Sequence, residues 1–210
     1  MKTKNISTAV IKRLPRYYRY LGDLLKKNVA RVSSMELSSL MSVTASQIRQ
    51  DLNCFGGFGQ QGYGYDVETL HGEIGSILGL DRGYTSIIVG AGHIGHAIAN
   101  HSTFQNRGFN LCAIFDVDPD VIGTEINGLT VKSMDEVESY IKEHNPDIAV
   151  LALPIGVASD VANKLASYGI RGFWNFSSCE LALPKDVPVE NVHLSDSIMT
   201  LSYRIQELDE

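Results

Sequence analysis

Three glycines stand at positions 90, 92 and 95 in the segment IIVGAGHIGHAIA (residues 87–99), directly after an apolar run. Between a strand and a helix this spacing has a definite chemistry. Gly90 makes the turn, Gly92 lets a pyrophosphate approach the backbone, and Gly95 lets helix and strand pack closely, with the phosphates at the helix N-terminus. Ala91, His93 and Ile94 would complete that seat. A bare G-x-G-x-x-G arises easily by chance, so its surroundings matter. The run LCAIFDVD supplies a second strand ending at Asp116, 21 residues past Gly95. A carboxylate there can hold the adenine ribose hydroxyls and repels a 2′-phosphate, which favours NAD over NADP. His93 and His96 flank the turn, and we read them as exposed helix residues rather than catalytic groups.

A second constellation lies in TASQIRQDLN (residues 44–53). Ala45, Ile48 and Leu52 share one face of a helix, while Ser46, Gln47, Arg49, Gln50 and Asn53 point elsewhere. Amides and a guanidinium near a helix N-terminus are the groups that read base edges in a major groove. The same pattern also fits an ordinary amphipathic helix with a polar outer face.

The elements that would position these residues can be read around them. Ile11, Leu14, Tyr18, Leu21 and Leu25 recur at helical spacing, with Pro15 marking either a start or a bend. Ser33 with Glu36, and Thr44 with Gln47, form capping-box pairs that open two short helices joined by Ser42-Val43, as in a helix-turn-helix. FGGFGQQGYGYD (residues 55–66) then alternates glycines with aromatics, as a short hairpin or wing does. Its tip, Gln60, Gln61 and Gly62, could donate hydrogen bonds to phosphates without bearing charge. DVETLHGEIGSILGL reads as a linking helix, giving a winged-helix domain over residues 1–78.

Beyond the glycine turn the chain alternates as a parallel sheet requires. GLTV, DIAVLALP and IRGFWNFS read as strands, and SMDEVESYIKEH and GVASDVANKLASYG as helices, the first opened by Ser133 and Glu136. Ligands sit at the carboxyl ends of such strands, so Leu153, Pro154 and the NFSS segment are expected to rim the pocket. The fold class is therefore α/β, with a dinucleotide-binding domain over residues 79–194. In the tail, Ile198, Leu201, Ile205 and Leu208 form one apolar stripe. That helix either closes the sheet's flank in its own chain or packs on another subunit.

The totals are those of a globular chain: 210 residues, 44% hydrophobic and 20% charged. No apolar run is long enough to span a bilayer, and the N-terminus does not read as a signal peptide. Cys54, Cys112 and Cys179 lack metal-ligand spacing and read as reduced thiols of a cytoplasmic protein. Charge divides sharply, with a net +7 in residues 1–60 and −13 in the remainder. This suggests a nucleic-acid-facing segment on an acidic body.

With these motifs in this order, the sequence resembles the Rex family of redox-sensing transcriptional repressors. The resemblance rests on KRLPRYYRYL, SSMELSSLMSVTASQIRQDL, FGGFGQQGYGYDVETL, VGAGHIGHAIA, FDVDPDVIG, NFS and LSDSIMTLSYRI, and it covers essentially the whole chain. It implies a homodimer of winged-helix and Rossmann domains, with a C-terminal helix (195–210) swapped between subunits near the partner's nicotinamide site. NADH would close the dimer and release palindromic operator DNA, and NAD⁺ would compete while leaving DNA binding possible. By position, the resemblance assigns Gly90 to Gly95 and Asp116 to the dinucleotide. Asp196 and Tyr203 fall to the redox-dependent rearrangement and the partner's pocket. Arg13, Arg16, Ser46, Gln47, Arg49, Gln50 and the wing tip through Tyr63 fall to DNA. Two positions depart from the family. His101 replaces a tyrosine thought to pair with the Asp196 position, and a His–Asp pair there would make sensing pH-dependent. Gln60 and Gln61 replace basic residues common at the wing tip.

A hydride-transfer enzyme would need a positioned acid or base and a substrate pocket. Residues 79–210 make one dinucleotide unit with no room for a substrate domain, so no enzyme activity is expected. Two rivals remain at this stage: a small NAD-dependent oxidoreductase with a fused helical domain, and a coenzyme A or nucleotide-binding module.

Overall fold

The computed structural model describes residues 6–60, 63–101 and 108–208, with Gln60 described by its backbone alone. The chain forms two compact units, Met1–Arg82 and Gly83–Glu210.

The first unit opens with helix α1 (Thr8–Lys26), capped by Ser7. The helix runs through Pro15, so Pro15 marks neither of its ends. Its buried residues are Val10, Leu14, Tyr17 and Leu21, whereas Ile11 is 47% exposed. The expected stripe is thus rolled by one residue at Ile11 and Tyr18. The cause is Tyr17, whose hydroxyl is drawn inward to a buried carboxylate, while Tyr18 stacks on His71 at the edge. A short strand β1 (Arg31–Val32) follows, which the sequence pattern does not signal.

Helices α2 (Ser34–Met41) and α3 (Ala45–Asn53) form the helix-turn-helix. Ser33 makes the full reciprocal capping box with Glu36. Thr44 caps α3 by accepting from the Gln47 N–H. Because the Ser33 side chain satisfies an otherwise orphaned donor, Ser33→Ala is expected to lower stability of the first unit by about 1 kcal/mol in denaturant titration. An unchanged midpoint would contradict that.

Strands β2 (Gly59–Gln60) and β3 (Gly64–Asp66) form the hairpin, and β1 pairs antiparallel with β3 to give a three-stranded sheet in the order β1-β3-β2. Helix α4 (Val67–Ile77), capped by Asp66, packs along α1 and closes the core of Leu14, Tyr17, Leu21, Leu37, Ile48, Leu52, Leu70 and Ile74.

The second unit contains β4 (Tyr84–Val89), α5 (His93–Ala99), β5 (Phe109–Asp116), β6 (Glu125–Ile126) and β7 (Leu129–Ser133). After these come α6 (Val137–His144), β8 (Ile148–Leu151), α7 (Ile155–Tyr168), β9 (Gly172–Asn175), β10 (Val189–Asn191) and α8 (Leu194–Gln206). The sheet order is β10-β9-β8-β4-β5-β7-β6, parallel throughout except for β6 against β7. Counting β4 as the first parallel strand, this is the doubly wound order 3-2-1-4-5-6, and its switch point lies between β4 and β8.

Both sheet faces are covered, as a parallel sheet requires. Ile87 and Val89 point into the layer with α6 and α7, where Ile141, Ala162 and Leu165 pack. Ile88 points the other way, among Ala99, Ile114, Val131 and Val150. Helix α8 behaves differently. Every one of its described side chains is exposed, including Ile198 (62%), Leu201 (50%) and Tyr203 (62%). It does not close the sheet of its own chain.

Candidate functional site

The glycine turn sits at the switch point. Gly90 has φ +99°, and a Cβ on it would lie 2.4 Å from the Ala152 carbonyl oxygen, in the segment that follows β8. Its N–H donates to the Phe115 carbonyl at 2.8 Å, so β5 and the β8 loop fix the turn from both sides. At Gly95 a Cβ would stand 1.8 Å from the Gly90 oxygen, which is why α5 can lie against its strand. Gly92 is the opposite case. A Cβ there would meet nothing within 4 Å, so that position faces open space. It is also the N-cap of α5 and offers no side-chain cap, which leaves the first-turn N–H groups to a ligand or solvent. Room at Gly92 and free donors beside it fit a pyrophosphate.

Asp116 closes the arrangement. One carboxylate oxygen accepts from the Ala91 N–H at 2.6 Å, and the other from the N–H groups of Val117 and Asp118 at 2.7 and 2.9 Å. A carboxylate oxygen can accept twice, so Oδ2, with only the Ala91 N–H, has a position open to a further donor. Val117 beside it is 77% exposed and offers an apolar surface for a base. Leu153 and Pro154 follow the carboxyl end of β8, and His93, Ile94 and His96 are exposed on the first turns of α5.

Sequence reasoning expected the NFSS segment at the pocket rim but did not foresee what its first residue does. Asn175, fully buried at the end of β9, donates to the Cys179 carbonyl and to Asn191 Oδ1, each at 2.8 Å, and accepts from the Ser177 N–H. Its carbonyl takes the Val192 N–H at 2.8 Å. One amide thus ties the NFSS turn to β10, two residues before α8. The only signal was a polar residue ending an apolar strand. Asp196 lies in the first turn of α8, and both it and Tyr203 are exposed in this chain, as is His101.

In the first unit, Ser46, Arg49 and Gln50 are exposed on α3 and Gln47 is half-buried. The guanidiniums are not all free. Arg49 donates to the Ser34 hydroxyl at 2.8 Å, and Arg16 to the Met41 carbonyl at 2.7 Å, each bracing the helix-turn-helix. Arg13 is bidentate to Asp51, at 2.6 and 2.7 Å, beneath α3. Its fork therefore holds the scaffold. Tyr63 is 71% exposed, and its carbonyl accepts from Arg31 at 3.3 Å. Gln61, Gly62 and the Gln60 side chain lie outside the described residues. Among the described residues no cluster of three or more His, Cys, Asp or Glu is placed to hold a metal ion.

A helix-turn-helix unit joined to a dinucleotide-type sheet defines a ligand-responsive DNA-binding regulator. Residues 5–53 match the family described as "Putative DNA-binding protein N-terminus", and residues 81–179 match the CoA binding domain family. The chain is 56% identical over 204 residues to the redox-sensing transcriptional repressor Rex of Clostridioides difficile (strain 630), covering 97% of each chain. It is 54% identical to that of Thermoanaerobacter pseudethanolicus (strain ATCC 33223 / 39E), over 98% of this chain and 92% of the relative. Among solved structures it is similar to RSP, a Rex-family repressor. The complex of RSP with beta-NAD⁺ and operator DNA aligns with a TM-score of 0.92 and 52% identity, over 99% of this chain and 95% of that one. The complex with beta-NADH gives 0.91 and 49%, over 99% and 97%. The chain belongs to the Rex family of redox-sensing transcriptional repressors.

Proposed function

We propose that the protein is a DNA-binding transcriptional repressor that reads the NADH/NAD⁺ ratio rather than using the dinucleotide in catalysis. The observation that carries this is full-length similarity to RSP, of which complexes with operator DNA and NAD⁺ and with NADH are known. In this reading Gly90, Ala91, Gly92, His93, Ile94 and Gly95 seat the pyrophosphate and Asp116 the adenine ribose. Leu153 and Pro154 border the nicotinamide. Ser46, Gln47, Arg49, Gln50, Arg16 and the wing through Tyr63 face DNA in the cytoplasm, and Arg13 positions them.

Homodimerisation follows from α8. A helix that leaves Ile198, Leu201, Tyr203 and Ile205 half or more exposed gains by burying them on a second copy. Exchange of α8 would carry Asp196 and Tyr203 to the partner's crevice. Sensing then needs differential affinity, because a ligand shifts a two-state dimer only by binding one state better. Oxidised nicotinamide carries a charge that the reduced ring lacks. A closed, dry crevice with an aliphatic lining disfavours the cation, so NADH favours the closed, DNA-releasing state.

The test is fluorescence anisotropy of operator DNA at fixed salt, with NADH and NAD⁺ added separately. Release by NADH at concentrations where NAD⁺ does little is expected. Operator binding indifferent to both would overturn the switch, and turnover of NADH with a substrate would reinstate an enzyme. Asp116→Ala is expected to weaken NADH binding and to narrow the preference over NADPH, since the carboxylate that repels a 2′-phosphate is gone. Unchanged discrimination in calorimetry would remove Asp116 from the site.

A further inference from the structure

Asp51 is fully buried one turn beyond Gln47 on α3 and has its acceptor positions filled. Oδ1 accepts from Gln47 Nε2 at 2.8 Å and Arg13 Nη2 at 2.7 Å. Oδ2 accepts from Arg13 Nε at 2.6 Å and the Tyr17 hydroxyl at 2.8 Å. Burial alone would raise its pKa, but the hydrogen bonds from Arg13, Tyr17 and Gln47 more than offset it and hold the carboxyl below its ordinary range. Asp51 is therefore ionised and accepts only.

An acceptor-only neighbour decides how the Gln47 amide lies. Its NH₂ must turn in toward Asp51, which leaves Oε1 and the second N–H for whatever lies outside. Gln47 is the third residue of α3, in the turn whose side chains meet base edges when a recognition helix enters the major groove. One acceptor beside one donor matches adenine, which offers the N6 amine and the N7 acceptor. Guanine offers two acceptors and would set O6 against Oε1.

We infer that Asp51 is a positioning residue that orients Gln47 to read the N6 amine of an adenine in the operator. The inference rests on the operator-binding reading above and deepens it. Gln47 is held in place before DNA arrives, so binding need not order it.

The test uses the full-length protein and an operator that it selects from random duplexes, followed by anisotropy at fixed salt. Each adenine is replaced in turn by purine, which lacks the 6-amino group, or by 7-deazaadenine, which lacks N7. The panel is repeated with Gln47→Ala and Asp51→Asn. We expect an adenine whose replacement by purine weakens wild-type binding about 5- to 150-fold and Gln47→Ala binding less than twofold. With Asp51→Asn, whose amide can donate to Gln47 Oε1, that penalty should shrink, because the Gln47 amide can then turn over. A purely structural Asp51 would instead weaken every duplex alike. The inference is overturned if no purine penalty disappears in Gln47→Ala, or if the Gln47-dependent contact is to a guanine. The wild-type and Gln47→Ala panels decide the orientation even if Asp51→Asn does not fold. Failure to select any operator would instead overturn the functional reading beneath it.

Discussion

Asp51→Ala is expected to destabilise the N-terminal unit by about 3 kcal/mol, at the low end for breaking a buried ion pair. The low end applies because the Arg13 side chain is 26% exposed and can recover some hydration, whereas that of Asp51 has none. The loss leaves the Arg13 fork without its carboxylate and the buried Tyr17 hydroxyl without an acceptor. For a unit of this size that corresponds to a drop in Tm of roughly 12–24 °C. The same carboxylate gives a pH signature. Its folded pKa is depressed, so its stabilisation is complete above the unfolded value of about 3.9 and is lost as pH falls through the folded value. Differential scanning calorimetry of the wild type should therefore show the N-terminal transition weakening below about pH 4. Asp51→Ala should lack that share of the decline. A variant that melts within a degree or two of wild type would show that the network contributes no net stability.

Asp51 also marks where sequence reading stops. On a helical wheel it neighbours Ile48 and Leu52, but an isolated acid reads as solvent-facing until its partner is known. Arg13 lies 38 residues away on another helix. Features set by near neighbours were legible: the caps at Ser33 and Thr44, the glycine spacing, and the pairing of Ser133 with Glu136, although that pair opens a 3₁₀ turn (Met134–Glu136) ahead of α6 rather than α6 itself. Features set by packing were not. Val10 and Ile11 are both apolar, and helical periodicity alone could not say that Val10 turns in and Ile11 out. Strands β1 and β6 have two residues each and β10 three, too few for an alternating pattern to register. They form because a neighbour offers free backbone groups, β3 for β1, β7 for β6 and β9 for β10. The tail stripe was visible as amphipathic, and its two readings could be separated only by seeing that its own chain leaves it bare. The proposed nicotinamide border at Leu153 and Pro154 followed from topology, whereas the Asn175 hub is a matter of side-chain geometry.

Gly95→Ala should have an effect of comparable size on the other unit, and comparison with Gly92→Ala separates fold from ligand. The added methyl at Gly95 would lie 1.8 Å from the Gly90 oxygen and 3.3 Å from Ile88 Cγ2. The oxygen cannot withdraw, because the Gly90 N–H is tied to Phe115 and the residue lies hard against the Ala152 carbonyl. Helix α5 must move off the sheet instead, pulling Ala99 and Ile98 from the layer with Ile114 and Val150. Overpacking of this kind costs about 3 kcal/mol or more when backbone must shift. The melting transition of the C-terminal unit should fall, NADH binding should weaken at least tenfold, and operator DNA should no longer be released by NADH. At Gly92 a methyl meets no protein atom, and φ of −66° suits alanine. Gly92→Ala should therefore melt like wild type and still lose NADH affinity, since the space it fills is where the proposed seat puts the pyrophosphate. If Gly92→Ala bound NADH normally, the phosphate seat would have to lie elsewhere. If Gly95→Ala melted like wild type, the contact between α5 and β4 would be looser than its geometry requires.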